Sequence, residues 1–431
     1  MKIFILALFI YILCFLQVNA QHRKCSTDQF HQSINKKYPE FKKLRQLSEI
    51  EIQNWIKHNA NSERKGSIIT IPVVVHVVYN RDNQNISYEQ IISQLEVFNR
   101  DFRKLNNDTL DADHPYWQYV ADSEIEFCLA HTDPDGNYTS GITRTYTDTT
   151  SFSGDYHPQA KNEDFTSNVY FSDKGGVDNW PPDKYLNIWV CKMNDLLGWA
   201  NYPYVLGLDS ALDGLVMDYR YFGDTNTIAP YDYGRTATHE IGHWLNLIHT
   251  FGSALDEESG ICGSDSVADT PPQDTYNFDC PTFPHITCSN GAYGDMFMNF
   301  MDYANDSCAV MFTKGQADRM KASLNLYRSG LINSNLCNPP DGFEENSIVT
   351  SFTIYPNPVS DQLNIEYTLT NTENVKITLY NSLGQVVVVL FDEKQTAEEH
   401  NSRFSINLPS GIYFMNFRTS KDNFCKVIYK P

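Results

Sequence analysis

From Ile68 to Val78 the chain is almost uninterruptedly apolar and β-branched, a pattern that suits a strand covered on both faces. After a turn, Ser87-Tyr88-Glu89-Gln90 has the form of a capping box, and Ile91, Ile92, Leu95, Phe98 and Phe102 then recur at helical spacing. Shorter apolar runs predict strands at Ile125–Leu129, Leu186–Cys191 and Gly214–Met217, followed by a long irregular stretch. A second capping box, Thr313-Lys314-Gly315-Gln316, opens a last helix that stops near Gly330. Strand, helix and further strands describe an α/β (α+β) domain with a twisted sheet.

Past Asn338-Pro339-Pro340-Asp341-Gly342 the period changes to two. Leu363, Ile365 and Tyr367, then Val375, Ile377 and Leu379, then Phe404, Ile406 and Leu408 alternate with polar residues, and further runs lie at Gln385–Leu390, Ile412–Phe417 and Phe424–Tyr429. Short strands with frequent turns predict a small all-β sandwich. Ahead of the first strand, residues 21–65 are polar with weak helical patterning from Phe30 to Leu47, and they end in the basic pair Arg64-Lys65. That segment reads as a propeptide with a cleavable junction. At the start, Lys2 precedes 14 uncharged residues, Ile3 to Leu16, and the small-residue pattern Val18-Asn19-Ala20. The run falls short of the roughly 20 residues that span a bilayer, so it reads as a signal peptide and not a transmembrane anchor. The division expected is 1–20 signal peptide, 21–65 propeptide, 66–340 catalytic domain, 341–350 linker and 351–431 C-terminal domain.

The formal net charge of -20 argues against nucleic acid or anionic lipid as a partner and favours neutral or cationic ones. Removal of Cys14 with the signal peptide leaves nine of the 10 cysteines, and export permits disulfides. An odd count leaves one thiol for another task.

Candidate chemistry is concentrated in Thr238-His239-Glu240-Ile241-Gly242-His243-Trp244-Leu245-Asn246-Leu247-Ile248-His249. His239 and His243 leave one helix face a turn apart and can share a zinc ion, with Glu240 beside them as general base toward an activated water. His249 lies beyond the reach of a straight helix, so the chain must turn back. Asn246, which tolerates the left-handed conformation better than any residue but Gly, makes that turn possible. Cys25, the candidate odd cysteine, is a latency thiol in this reading: its thiolate occupies the open metal position until the propeptide leaves.

The three-histidine motif resembles that of the metzincin clan of metalloproteases, with Asn246 in place of the usual Gly. Asn299-Phe300-Met301-Asp302-Tyr303 matches the clan's methionine turn, which implies Met301 as the floor of the site and Tyr303 as a metal neighbour able to stabilise an oxyanion. Together with Val267-Ala268-Asp269-Thr270-Pro271 and the stretch from Asn299 to Gln316, these motifs resemble the pappalysin family, in its cytophagalysin-like bacterial branch, over residues 66 to 336. The resemblance implies disulfides Cys262 to Cys288 and Cys280 to Cys308, although spacing alone leaves every pairing open. It also implies a structural calcium held among Asp265, Val267, Asp269 and Thr270, and a specificity pocket based on Asp306, which would direct cleavage after Arg or Lys. Arg64-Lys65 is then a self-cleavage site.

Tyr355-Pro356-Asn357-Pro358, Leu383-Gly384-Gln385-Val386, Leu408-Pro409-Ser410-Gly411-Ile412-Tyr413 and Lys426-Val427-Ile428 resemble a type IX secretion sorting domain. The expectation is a secreted zinc metalloendopeptidase whose partners are protein or peptide substrates and an outer-membrane secretion machinery. The competing expectation is a protease-fold binding protein with little or no turnover. Retention of Glu240 and all three histidines argues for the enzyme.

Overall fold

The computed structural model describes residues 25, 27–28, 31, 40–59, 68–153, 168–194, 196–207, 209–252, 262–338, 348–381 and 385–431. The expected signal peptide and the Arg64-Lys65 junction lie outside the described residues.

Strand β1 (Ile69–Tyr79) is the axis of the first domain, and all its residues but Thr70 are buried. One edge is shared in succession by two parallel partners: Ile69 to Val73 pair with β2 (Ile125–Leu129), and Val75 to Tyr79 with β3 (Ile142–Tyr146). On the other edge lies β4 (Leu186–Cys191), also parallel. The sheet ends with β5 (Gly198–Ala200) and β6 (Leu215–Asp218): β6 joins β4 in parallel, and β5 closes the edge antiparallel to β6. The short β5 and the polar β3 carry too few apolar residues to be read from pattern.

Helix α1 (Glu40–Asn59) precedes the sheet, α2 (Tyr88–Phe102) follows β1, α3 (Arg235–Trp244) follows β6, and α4 (Lys314–Tyr327) is the domain's last long helix. Phe98 and Phe102 of α2 and Ala237 and Ile241 of α3 share a core with β1, while Trp189, Trp199, Tyr170 and Tyr202 form a second core. The capping box at Thr313 is complete. That at Ser87 is not: Ser87 accepts from the Gln90 amide, but the Gln90 side chain donates to the carbonyls of Tyr219 and Phe222, so burial redirects it from cap to tertiary bond. Of the stretch with weak helical patterning, residues 40–47 lie in helix α1, which runs on to Asn59. It is tied to α4 by the Glu49–Arg319 pair at 2.6 Å.

Three disulfides are described: Cys262–Cys288 and Cys280–Cys308 in the irregular segment before α4, and Cys128–Cys337, which ties β2 to the end of the domain. Among the described residues Cys191 is a buried thiol outside any disulfide.

The C-terminal domain has strands β7 (Val349–Tyr355), β8 (Gln362–Leu369), β9 (Glu373–Asn381), β10 (Val386–Gln395), β11 (Glu399–Ser405), β12 (Gly411–Arg418) and β13 (Asn423–Lys430). They form sheets of order β10-β9-β12-β13 and β11-β8-β7, closed over Leu363, Ile365, Tyr367, Ile377, Leu379, Met415 and Phe417. The domain starts earlier than the expected residue 351. Ile348 is already buried, and its amide and that of Val349 donate to Asp422, so part of the presumed linker belongs to the sandwich.

Candidate active site

Helix α3 carries His239, Glu240 and His243, all fully buried. Gly234, in left-handed conformation, precedes it, and a carboxylate oxygen of Asp306 accepts from the amides of Tyr233 and Arg235 at 3.1 Å each. A negative charge there satisfies open amides and opposes the positive end of the helix dipole. The helix ends as the sequence requires. Asn246 has φ of 73°, and the Leu247 amide reaches back to the Gly242 carbonyl at 2.8 Å. Arg319 donates to the Asn246 carbonyl at 2.6 Å and holds the turn from outside.

That turn returns His249 to the other two. The three Nε2 atoms are 3.0 to 3.3 Å apart. Each Nδ1 faces an oxygen acceptor: Phe300 O at 2.7 Å for His239, Leu247 O at 2.8 Å for His243 and Asp28 Oδ2 at 3.0 Å for His249. An imidazole that donates through Nδ1 carries its lone pair on Nε2, so three lone pairs converge, an arrangement that repels itself unless a cation sits between them. Ligands about 2.0–2.1 Å from a tetrahedral zinc would be spaced about 3.3–3.4 Å apart, close to what is found. Burial also holds His243 well below the ordinary histidine range, in the neutral, ligating form. The residues fit zinc.

The sulfur of Cys25 completes the set: it and the three histidine nitrogens all lie within 4.8 Å of one another. Cys25 forms a parallel bridge with Gly198 on β5, and its sulfur is 3.5 Å from Glu240 Oε2. Without a cation, burial and then the Glu240 charge push the thiol pKa well up, so thiolate ligation goes with metal binding. Thr27 donates to Glu240 Oε2 at 3.2 Å and accepts from the Ala200 amide at 3.0 Å. The N-terminal segment thus reaches the edge strand through Cys25 and engages both Glu240 and His249. At Gly198 an added Cβ would stand 3.1 Å from Glu240 Cγ and 2.8 Å from Met217 Sδ, which is why this strand needs glycine where it passes the base.

Met301 lies against the helix, where a Cβ on Gly242 would come within 2.3 Å of its sulfur. The Tyr303 ring is 4.9 Å from that of His249 and stacks on Tyr276 at 5.5 Å, and its hydroxyl donates to the Cys25 carbonyl at 3.5 Å. Asp302 fixes the loop by accepting from Gln273 and Asn277. Sequence reading missed Thr27, Asp28, Gly198 and Tyr202, whose hydroxyl lies 3.3 Å from His243 Nδ1. None of them carried a signal in the sequence, because each acquires its role only from a distant partner.

In the expected calcium segment Asp265 is buried. One of its oxygens accepts from Val267 N and Thr270 Oγ1, while Oδ2 has no hydrogen-bond partner among the described residues. Burial pushes its pKa up to about 7. Asp269 is different. Its two oxygens accept from Thr313 Oγ1 at 2.7 Å and Gly315 N at 2.9 Å, so its side chain caps α4.

A parallel sheet with an antiparallel edge strand, a helix bearing two histidines and a base, a third histidine beyond a left-handed turn and a methionine beneath them define a metalloprotease of metzincin type. Among protein families, that described as pregnancy-associated plasma protein-A matches residues 170–325, and the secretion system C-terminal sorting domain matches residues 353–430. Mirolysin in complex with compound 9 is 46% identical, with 64% of this chain and 100% of that one covered at a TM-score of 0.58. A mutant of Tannerella forsythia promirolysin is 41% identical, with 72% and 97% covered at a TM-score of 0.63. Extracellular metalloprotease 1 of Coccidioides posadasii is 45% identical over 103 residues, 24% of this chain and 34% of its own. For an extracellular metalloprotease of Sordaria macrospora the identity is 37% over 153 residues, 34% of this chain and 50% of its own. The matches thus span a third to a half of the length of these curated relatives. The chain belongs to the pappalysin family of metalloproteases, which implies a zinc cofactor, and it ends in a type IX secretion sorting domain. Among the described residues no helix is long and apolar enough to cross a membrane.

Proposed function

We propose that the chain is the latent form of a secreted zinc endopeptidase, in which His239, His243 and His249 hold the metal, Glu240 is the general base and Cys25 is the latency switch. The observation that carries this is the convergence of four buried ligand atoms, one of them from the N-terminal segment. Bound zinc supplies the Lewis acidity that activates water and polarises the scissile carbonyl. Glu240 takes the proton of the attacking water and passes it to the leaving amine. Tyr303 donates to the developing oxyanion; its hydroxyl already meets a backbone carbonyl, that of Cys25. In the latent chain Cys25 and Thr27 keep water and substrate from both centres. Two likenesses favour this reading: one solved relative is mature mirolysin with a cleaved peptide, and the promirolysin match covers 72% of this chain against 62% for that mature form. Arg64-Lys65 remains the expected self-cleavage site.

Preference for Arg or Lys is the finer part of the proposal. Asp306 is fully buried, and the amides it accepts from leave its charge in place. Arg235, beside it, pairs with Asp108 at 2.6 Å and also donates to the Asp306 backbone carbonyl at 2.6 Å. The family resemblance assigns Asp306 to the specificity pocket, and a carboxylate there would favour a cationic side chain. In a peptide library the mature protein is expected to cut at Arg or Lys, after that residue by the sequence reading. Asp306→Asn, which still accepts from the two amides, should lower that preference by at least about tenfold, equal to about 1.4 kcal/mol. An unchanged library profile in the variant would remove Asp306 from the pocket.

Calcium is proposed at Asp265 Oδ2, with the Val267 carbonyl and Thr270 hydroxyl as further oxygen ligands. The sign of its pH dependence follows from burial. A carboxyl raised to about 7 in the fold makes the calcium-free protein lose stability as pH rises from the ordinary carboxylate range, about 3.9, through that value. Calcium requires the charged form and offsets the loss, so its gain in Tm should grow across this window and vanish in Asp265→Asn. Equal Tm with and without calcium at every pH would refute the site.

A further inference from the structure

Two of the three histidines take their Nδ1 acceptors from the catalytic domain itself: Phe300 O, in the methionine loop, and Leu247 O, in the turn after α3. The third does not. His249 meets Asp28 Oδ2 at 3.0 Å, across 221 positions of sequence, with the two side chains 0% and 9% exposed. We propose that Asp28 is a positioning residue for the metal centre: it orients His249 while the N-terminal segment is in place, so that zinc is loaded and held before that segment is removed.

A carboxylate behind a ligating imidazole fixes its tautomer and ring orientation and raises its basicity, and loss of such a partner typically costs about 10–100-fold in metal affinity. Asp28 stands three residues after Cys25, and its backbone is helical, as is that of Thr27 and His31. One short segment therefore delivers a fourth ligand, a bond to the base and the partner of the third ligand. It does more than block the cleft. Its removal opens the metal to water and also takes away the carboxylate behind His249, so the mature protein holds zinc less firmly than the latent chain.

The inference rests on the zinc and latency reading above, and its test separates the two. The full chain bearing Glu240→Gln, which cannot process itself, is loaded with zinc, and release to a chromophoric chelator is followed. Asp28→Ala should release zinc about 10–100-fold faster, both with Cys25 present and in a Cys25→Ala background. Asp28→Asn, whose amide oxygen still accepts from Nδ1, should fall between. Tm values of the zinc-free proteins should agree, which separates positioning from a general loss of fold. If Asp28→Ala misfolds, the Asp28→Asn rate decides alone. Release by Asp28→Ala in the Cys25→Ala background within about threefold of its parent would overturn the role of Asp28 and leave the zinc site standing. A parent chain that takes up no zinc would overturn both.

Discussion

Glu240→Gln in the mature protein is expected to slow peptide cleavage by about 10²–10⁴-fold, the usual worth of a positioned general acid–base group, with zinc content unchanged. The substitution keeps the size of the side chain and removes only its ability to take a proton. Glu240 is flanked by Gly198 of β5 and is not one of the three converging histidine ligands, so the metal should stay. Steady-state cleavage of one fluorogenic peptide, with zinc measured on the same samples, checks both halves. Near-normal turnover in the variant would assign the proton transfers to another group.

The second large effect is expected at Cys25. In the full chain, Cys25→Ala should shorten the time to self-processing by at least about tenfold, the consequence of removing only about 1.4 kcal/mol from the closed state. The sulfur completes the ligand set, and the segment's other anchors include hydrogen bonds of Thr27 to Glu240 and Ala200, Asp28 to His249, His31 to Tyr202 and Tyr204, and the Cys25 carbonyl to Tyr303. Processing followed by gel at fixed protein concentration reads the effect. An unchanged rate would mean that those anchors, together with the α1–α4 contact through Glu49 and Arg319, maintain latency without the thiol.

The parts legible in the sequence are those that local chemistry dictates. The buried run of β1 and the alternation in β8 and β9 announce their strands, and His239, His243 and Asn246 announce a helix and its end, because periodicity and φ preference act within a few residues. The same applies to Thr313 and Gln316, whose capping box is complete. What escaped notice depends on distant groups. Asp28 acquires meaning only beside His249, Gln90 gives up its cap for carbonyls of Tyr219 and Phe222, and Asp269 caps α4. Nothing near Asp306 in sequence reveals that it caps the helix bearing His239, Glu240 and His243.

Whether three histidines hold a zinc ion on which proteolysis depends is decided by metal analysis of the mature protein together with cleavage assays before chelation, after chelation and after zinc is restored, with His249→Ala alongside. The expected result is one zinc per chain, loss of cleavage on chelation, recovery with zinc, and a His249→Ala variant that neither retains the metal nor recovers. Full cleavage by zinc-free protein, or by His249→Ala without zinc, would contradict it.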